Sequence, residues 1–253
     1  MSTQYLIFFG HPGAGSAGVA AHLAAACAEA GRDVLLIDGA AGQSAALVSQ
    51  GEPVGDAGWT SGFKGLACRY WGQQSAASLA AAIAACAPAP ELVLIDLADN
   101  LDRLQQLLVA GLASQVLAVT DIEPASLRAV NRLWQALKDR DVTTGLIGNN
   151  LSETYAGSIV QDFARKTGIG LEGYLPRARA VIRSAFFGET VIEAAPLSHA
   201  AYLYRDLAKL LSQPGKPSRP MALDDEEFRD WAADWGERLY DLGEGYVGYG
   251  EGI

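Results

Sequence analysis

Apolar residues along this chain fall into two kinds of segment that alternate. Short, mostly apolar runs at Tyr5 to Phe9, Val34 to Ile37, Leu92 to Ile95, Gln115 to Thr120, Thr144 to Ile147 and Gly170 to Leu175 have the length and saturation of strands buried on both faces. Between them lie stretches with helical spacing: Val19, Leu23 and Cys27 in a helix from about Ala17 to Ala30, and a helix from Ser75 to Cys86. Leu127, Val130, Trp134 and Leu137 follow Pro124 in another helix, and Gly157 to Lys166 forms one more. Gly31 closes the first helix as a C-terminal glycine. This alternation predicts a doubly wound α/β domain with a mostly parallel sheet, whose ligand edge lies at the C-terminal ends of the strands.

Two segments break the alternation. Gln50 to Gly72 is glycine-rich with Trp59, Phe63, Tyr70 and Trp71 embedded, which predicts an irregular loop of functional or interfacial use. Gln213 to Pro220 carries three prolines and predicts a linker, so the chain divides into a body (1–211), a linker (212–220) and a tail (221–253). In the tail, Asp224 to Tyr240 reads as an acidic helix with Phe228, Trp231, Trp235 and Leu239 on one stripe. That stripe must be covered, either by the chain's own body or, as the interface preference of Trp suggests, by a partner contacting Phe228, Trp231 and Trp235. The closing GEGYVGYGEGI repeats glycine and tyrosine and predicts a mobile end unless bound.

Composition narrows the class. The 253 residues are 50% hydrophobic and 19% charged, enough to bury one large core. The net charge of −10 is concentrated: from Met221 to Ile253 ten Asp or Glu stand against Arg229 and Arg238, a net of −8 that leaves the body near neutral. That balance excludes a general nucleic-acid binder, which needs clustered Lys and Arg. No apolar run reaches the ~18 residues of a membrane span. Met1 to Gly10 lacks the basic start and cleavage site of a secretory leader, so a cytoplasmic protein without a membrane partner is expected. Cys27, Cys68 and Cys86 have no paired spacing, which argues against disulfides and against a metal site within one chain, while a cluster shared between subunits stays open.

The candidate chemistry sits at Tyr5 to Gly18, YLIFFGHPGAGSAG. A strand runs into a turn with Gly10, Gly13 and Gly15, and the turn opens an alanine-rich helix. In that setting backbone N–H groups at a helix N-terminus cradle phosphate. A P-loop follows its last glycine with Lys, which reaches the β and γ phosphates, and then Ser or Thr, whose hydroxyl holds Mg²⁺. Here those two positions are Ser16 and Ala17.

The loop resembles that of the nitrogenase iron protein and its relatives, the reductases of the dark protochlorophyllide and chlorophyllide enzymes, among the deviant P-loop ATPases. Their loop reads GKGGIGKST where this chain reads GHPGAGSAG, Gly10 to Gly18. His11 stands at the family's signature lysine and Ser16 at the Walker lysine, and each lost charge-assisted contact to phosphate is worth roughly 1.5–3 kcal/mol. The resemblance implies that Asp38 is the strand-end acid that senses water and Mg²⁺, although Gly39, Ala40 and Ala41 follow it and the switch position falls near Ser44. It implies that Asp96 is the Walker B Asp, followed by a polar switch at Asp99 to Asp102 that lacks a glycine hinge. Asn149 would read the adenine edge; on the residues alone it serves equally as a turn that starts a helix. Pro176 and Arg177 would form the turn against the base, with Ala178 in place of the family's Asp. Cys68 lies 28 residues before Asp96, as the first cluster cysteine does, but Arg103 stands where the second would fall. A four-iron cluster bridging two subunits needs two thiolates from each. From Tyr174 to Leu211 the chain follows the family's order of PR turn, arginine-bearing helix, GETVIE segment and Tyr-Arg helix. The likeness covers about residues 4–211.

The first reading is therefore a nitrogenase-iron-protein-like pseudo-ATPase that keeps the fold and works as a binding or regulatory partner, with no catalytic residue. ATP or ADP would bind weakly at most, and an iron–sulfur cluster is not expected, Cys68 being its one weak candidate. The resemblance implies a homodimer and a protein partner of the nitrogenase-like kind. The second reading is an ATP-dependent electron-transfer reductase of a nitrogenase-like or tetrapyrrole-reductase-like enzyme with altered ligands. A third is a site for a different anion, to which His11 adds charge below about pH 6.5.

Overall fold

The structure is a computed structural model that describes residues 3–40, 43–49, 58–152, 155–212 and 219–244. Its strands are β1 (Gln4–Phe9), β2 (Val34–Asp38), β3 (Thr60–Ser61), β4 (Ala67–Tyr70), β5 (Leu92–Asp96), β6 (Gln115–Thr120), β7 (Thr143–Gly148) and β8 (Leu171–Tyr174). They form one sheet in the order β3-β4-β2-β5-β1-β6-β7-β8, parallel throughout except for β3, which runs antiparallel to β4. The helices are α1 (Ser16–Glu29), α2 (Gln43–Val48), α3 (Ala76–Ala84), α4 (Leu101–Val109), α5 (Pro124–Leu137), α6 (Ala156–Thr167), α7 (Arg179–Phe186), α8 (Val191–Ala194), α9 (His199–Leu211) and α10 (Asp225–Glu244). Among the described residues no helix is long and apolar enough to cross a membrane.

Successive side chains of a strand point to opposite faces, and each central strand feeds two cores. Ile7, Phe9, Ile37, Ile95 and Val116 join residues of α3, α4, α5, α6 and α10 on one face. Leu6, Phe8, Leu36, Leu94 and Leu117 join α1, α8 and α9 on the other. The single stripe expected on α1 is widened: every residue from Val19 to Ala28 is buried, because α2, α8 and α9 cover the sides the sheet leaves open. Alanine at most of these positions lets the backbones approach closely.

Two expectations are corrected. The segment from Gln50 to Gly72 is not an irregular loop throughout, since from Thr60 onward it holds β3, a short 3-10 turn (Phe63–Gly65) and β4; residues 50–57 lie outside the described ones. Beyond the expected linker, the chain bonds to the body just before the tail helix. Asn131 on α5 accepts the Leu223 N–H at 2.8 Å and donates its side-chain amide to the Leu223 carbonyl at 2.8 Å, while the Met221 N–H donates to the Thr167 carbonyl at 3.0 Å. Residues 213–218 of the expected linker, and the glycine–tyrosine end from 245 on, lie outside the described residues.

The apolar stripe of α10 is the second correction. Phe228 and Trp231 are buried against Phe163 of α6, with ring centroids 6.4 and 5.3 Å away, and Arg128 of α5 lies over the Phe228 ring. The indole N–H groups of Trp231 and Trp235 both donate to one oxygen of Asp162, at 2.8 and 3.0 Å. The chain's own body therefore covers the face expected to bind a partner, because a half-buried carboxylate and a buried phenyl ring on α6 match both the polar tips and the apolar bodies of the tryptophans. Phe228→Ala is expected to cost ~3–5 kcal/mol, read as a lower urea midpoint; an unchanged midpoint would show that α10 does not contribute to the folded core.

Candidate functional site at the C-terminal edge of the sheet

β1 ends at the centre of the sheet and passes directly into the glycine loop. Gly10 donates its N–H to the Ala98 carbonyl at 2.9 Å, and a Cβ there would sit 2.8 Å from the Val119 carbonyl oxygen, so only glycine fits between the strands. Gly15 caps α1 in the left-handed region, φ 84°, where L side chains are strained. The first turn of α1 follows, with N–H groups that have no partner inside the helix. Gly13 and its surroundings are open.

Side chains behind the loop close on one another. Ser16, buried, donates its hydroxyl to Asp96 Oδ1 at 2.9 Å, and the Ala98 N–H reaches the same oxygen at 3.3 Å. Among the described residues Asp96 Oδ2 has no hydrogen-bond partner. Burial, and secondarily the charge of Asp38, pushes the Asp96 carboxyl up to about 6 against the pull of these two donors. Asp38 and Asp96 are neighbours in the β2–β5 register. Asp38 faces α2 instead of the loop: its Oδ2 accepts from the Ser44 N–H and hydroxyl, both at 2.8 Å, and from the Ala45 N–H at 3.1 Å, while Oδ1 accepts from the Ala40 N–H at 3.0 Å.

Asn149, at the end of β7, donates its amide to the Ala14 carbonyl at 2.8 Å and its N–H to the Thr120 carbonyl at 2.7 Å. The Gly15 position has no room for a Cβ because that amide would lie 2.6 Å from it. Asn149 thus ties the glycine loop to β7. It also borders, with Asn150, Leu175, Pro176 and Tyr204, a hollow of about 20 Å³. That is room for a water molecule, far below the roughly 300 Å³ of a small-ligand pocket. The sheet brings Gly10, Gly13, Gly15, Ser16, Ala17, Asp38, Asp96 and Asn149 to one edge, with His11 half-exposed on the loop and Pro176 beside Asn149. Arg177 is exposed and does not join the hollow. The loop keeps the glycines and the helix start of a phosphate cradle; the side chains supply neither the Walker cation nor a hydroxyl at position 17.

The cluster positions fit less well. Cys68 is fully buried in β4, paired with Leu36 in the apolar layer under the sheet, and burial, with a further push from the charge of Asp38, raises its thiol to about 11. A cluster ligand must be a thiolate within reach of the cluster, and the weak candidate Cys68 lies among the core residues of the body. Arg103 spends its guanidinium on the carbonyls of Gly39, Trp71 and Gly72. The sequence reading missed these contacts and the Ser16–Asp96 bond; only the polar start of α4 at Asn100 to Arg103 hinted at the first.

A carboxyl whose pKa is raised by folding binds its proton more tightly in the native state, so stability falls as pH rises from the ordinary value near 3.8 through about 6. Asp96→Asn removes that dependence. At pH 8 the variant is expected to exceed the wild type by on the order of 2–3 kcal/mol, the gap closing as pH falls from 6 to 4. Urea midpoints of the two proteins across that range read the difference directly, which cancels the opposing effect of buried His22, whose pKa burial lowers to about 4. A gap that does not change with pH would contradict the buried, half-unpartnered carboxylate.

A family profile described as 4Fe-4S iron sulfur cluster binding proteins, NifH/frxC family, matches residues 105–238. The chain is 32% identical over 142 residues to nitrogenase iron protein 2 of Paenibacillus durus, covering 54% of this chain and 49% of that one. It is 28% identical over 134 residues to nitrogenase iron protein 2 of Methanothermococcus thermolithotrophicus, covering 51% and 46%. It thus spans about half the length of the curated relatives it matches. Among solved structures it is similar to the septum site-determining protein MinD complexed with Mg-ADP from Pyrococcus horikoshii OT3, with a TM-score of 0.64 at 18% identity over 84% of this chain and 97% of that one. It is likewise similar to the MinC:MinD cell division protein complex of Aquifex aeolicus, with a TM-score of 0.68 at 16% identity over 86% and 99%. At such identities these likenesses show the fold alone. With the profile matched across more than half of its length and the parallel sheet behind a glycine loop, this chain belongs to the NifH/frxC family.

Proposed function

We propose that this chain is a pseudo-ATPase of the NifH/frxC family, which keeps the P-loop ATPase fold and acts as a binding or regulatory partner protein. The observation that carries the reading is the 2.9 Å bond from Ser16 to Asp96. At the place of the Walker lysine, the chain turns a short hydroxyl inward onto the carboxylate that a working site would turn toward Mg²⁺. The backbone cradle remains, but no lysine stands at position 11 or 16 to offset phosphate charge, and the Asp96 carboxyl lies behind the loop. The buried Cys68 and the committed guanidinium of Arg103 support a protein without a four-iron cluster.

A maintained scaffold without its chemistry serves by contact. The MinC:MinD complex is an example of a protein of this fold bound to another, and the nitrogenase iron protein relatives favour a nitrogenase-like partner and a homodimer for this chain.

An anaerobic calorimetric titration with MgATP and MgADP, with iron assayed on the same sample, tests the reading. The expected result is no heat of binding at micromolar nucleotide and no stoichiometric iron. Micromolar binding together with iron would overturn it in favour of an ATP-dependent electron-transfer reductase with altered ligands.

A further inference from the structure

The ends of β4, β2 and β5 lie side by side at the ligand edge. They are joined by two backbone bonds, Gly39 N–H to the Asp96 carbonyl and Trp71 N–H to the Asp38 carbonyl, each 2.7 Å. Arg103 closes the circuit from α4, the helix that follows β5. Its N–H is fixed at 3.0 Å by the side chain of Asn100, the helix cap, and its guanidinium donates to the Gly39 carbonyl at 2.9 Å and to the Trp71 and Gly72 carbonyls. The same guanidinium lies over the ring of Trp71, 4.7 Å from its centroid, and that ring is fully buried with its N–H on the Gln74 carbonyl at 2.9 Å. Gly39 has no slack either: a Cβ would meet the Asp96 carbonyl at 2.8 Å and Leu97 at 2.9 Å.

We infer that Arg103 is an intramolecular clamp at the position of a cluster ligand, cross-linking the loops after β2 and β4 to the start of α4. It thereby holds the ligand edge in one conformation with or without nucleotide. The chemistry suits the task. A planar guanidinium presents five donors in a fixed fork and can serve several carbonyls at once while stacking on an aromatic face, whereas an ammonium is a point charge. A buried or half-buried cation stripped of such acceptors is costly, so the three carbonyls and the cation hold one another in place. In a nucleotide-driven switch the loops after β2 and β5 must move apart or together. Here one side chain is bonded across both, so a protein partner would meet the same surface at all times. The clamp deepens the pseudo-ATPase reading of this edge and rests on it only for the indifference to nucleotide.

Amide hydrogen exchange on the full chain tests it, comparing the wild type, Arg103→Ala and Arg103→Lys, each with and without millimolar MgATP. In the wild type the Gly39 and Trp71 amides are expected to be protected and unaffected by MgATP. In Arg103→Ala they should exchange at least about tenfold faster, with β6 and β7 unchanged, and Arg103→Lys should fall between. Equal exchange in wild type and Arg103→Ala would overturn the clamp; if that variant does not fold, Arg103→Lys decides by the same readout. A MgATP-induced change at Gly39 or Trp71 in the wild type would overturn the single conformation. Calorimetric binding of MgATP without such a change would sink the pseudo-ATPase reading and leave the clamp standing.

Discussion

The hydrogen bond between Ser16 and Asp96 joins the first turn of α1 to the end of β5, and the ligand edge is arranged around it. The bond is buried, so its cost in desolvation is met only if the carboxylate finds donors. Ser16 and Ala98 supply them on one oxygen and leave the other without a described partner. Position 16 comes to this carboxylate because β1, between β5 and β6, passes into the glycine loop at Gly10, where there is room for nothing larger. A lysine in that place would extend out of the loop toward a ligand; a serine is short enough to stop at Asp96.

The same economy runs along the edge. Asp38 is consumed by the start of α2, Asn149 by the glycine loop, and Arg103 by three carbonyls. Each of these side chains belongs to a type that could serve a nucleotide or its metal, and each is satisfied within the chain. The consequence is a firm scaffold. From Val19 to Ala28 the α1 helix is buried all round, and α10 forms an outer layer over α5 and α6 through Phe228, Trp231 and the shared acceptor Asp162. Among the described residues the most exposed large apolar side chains are Phe186 at 85% and Leu197 at 83%, away from α10 in the sequence.

The central strands were legible in the sequence because burial on both faces leaves nearly unbroken apolar runs. β4 was not, since its four residues ACRY carry an arginine and lie in a glycine-rich stretch, and β3 has only two residues. The stripe of α10 could be read, but periodicity says only that a face is covered; Asp162 and Phe163, some seventy positions away, decide by what. The site residues at strand ends were legible for a topological reason, as parallel strands deliver their C-terminal ends to one edge. Their bonding was not. Arg103 finds carbonyls 31 to 64 positions upstream, and carbonyls carry no signature in a sequence.

The most direct test of an edge closed by its own side chains is the amide NMR spectrum of the glycine loop during addition of MgADP. The Gly13, Gly15 and Gly18 resonances are expected to stay in place at micromolar nucleotide, since no lysine stands behind them. Saturable shifts of those three amides in the micromolar range would contradict it and make the loop a working nucleotide site.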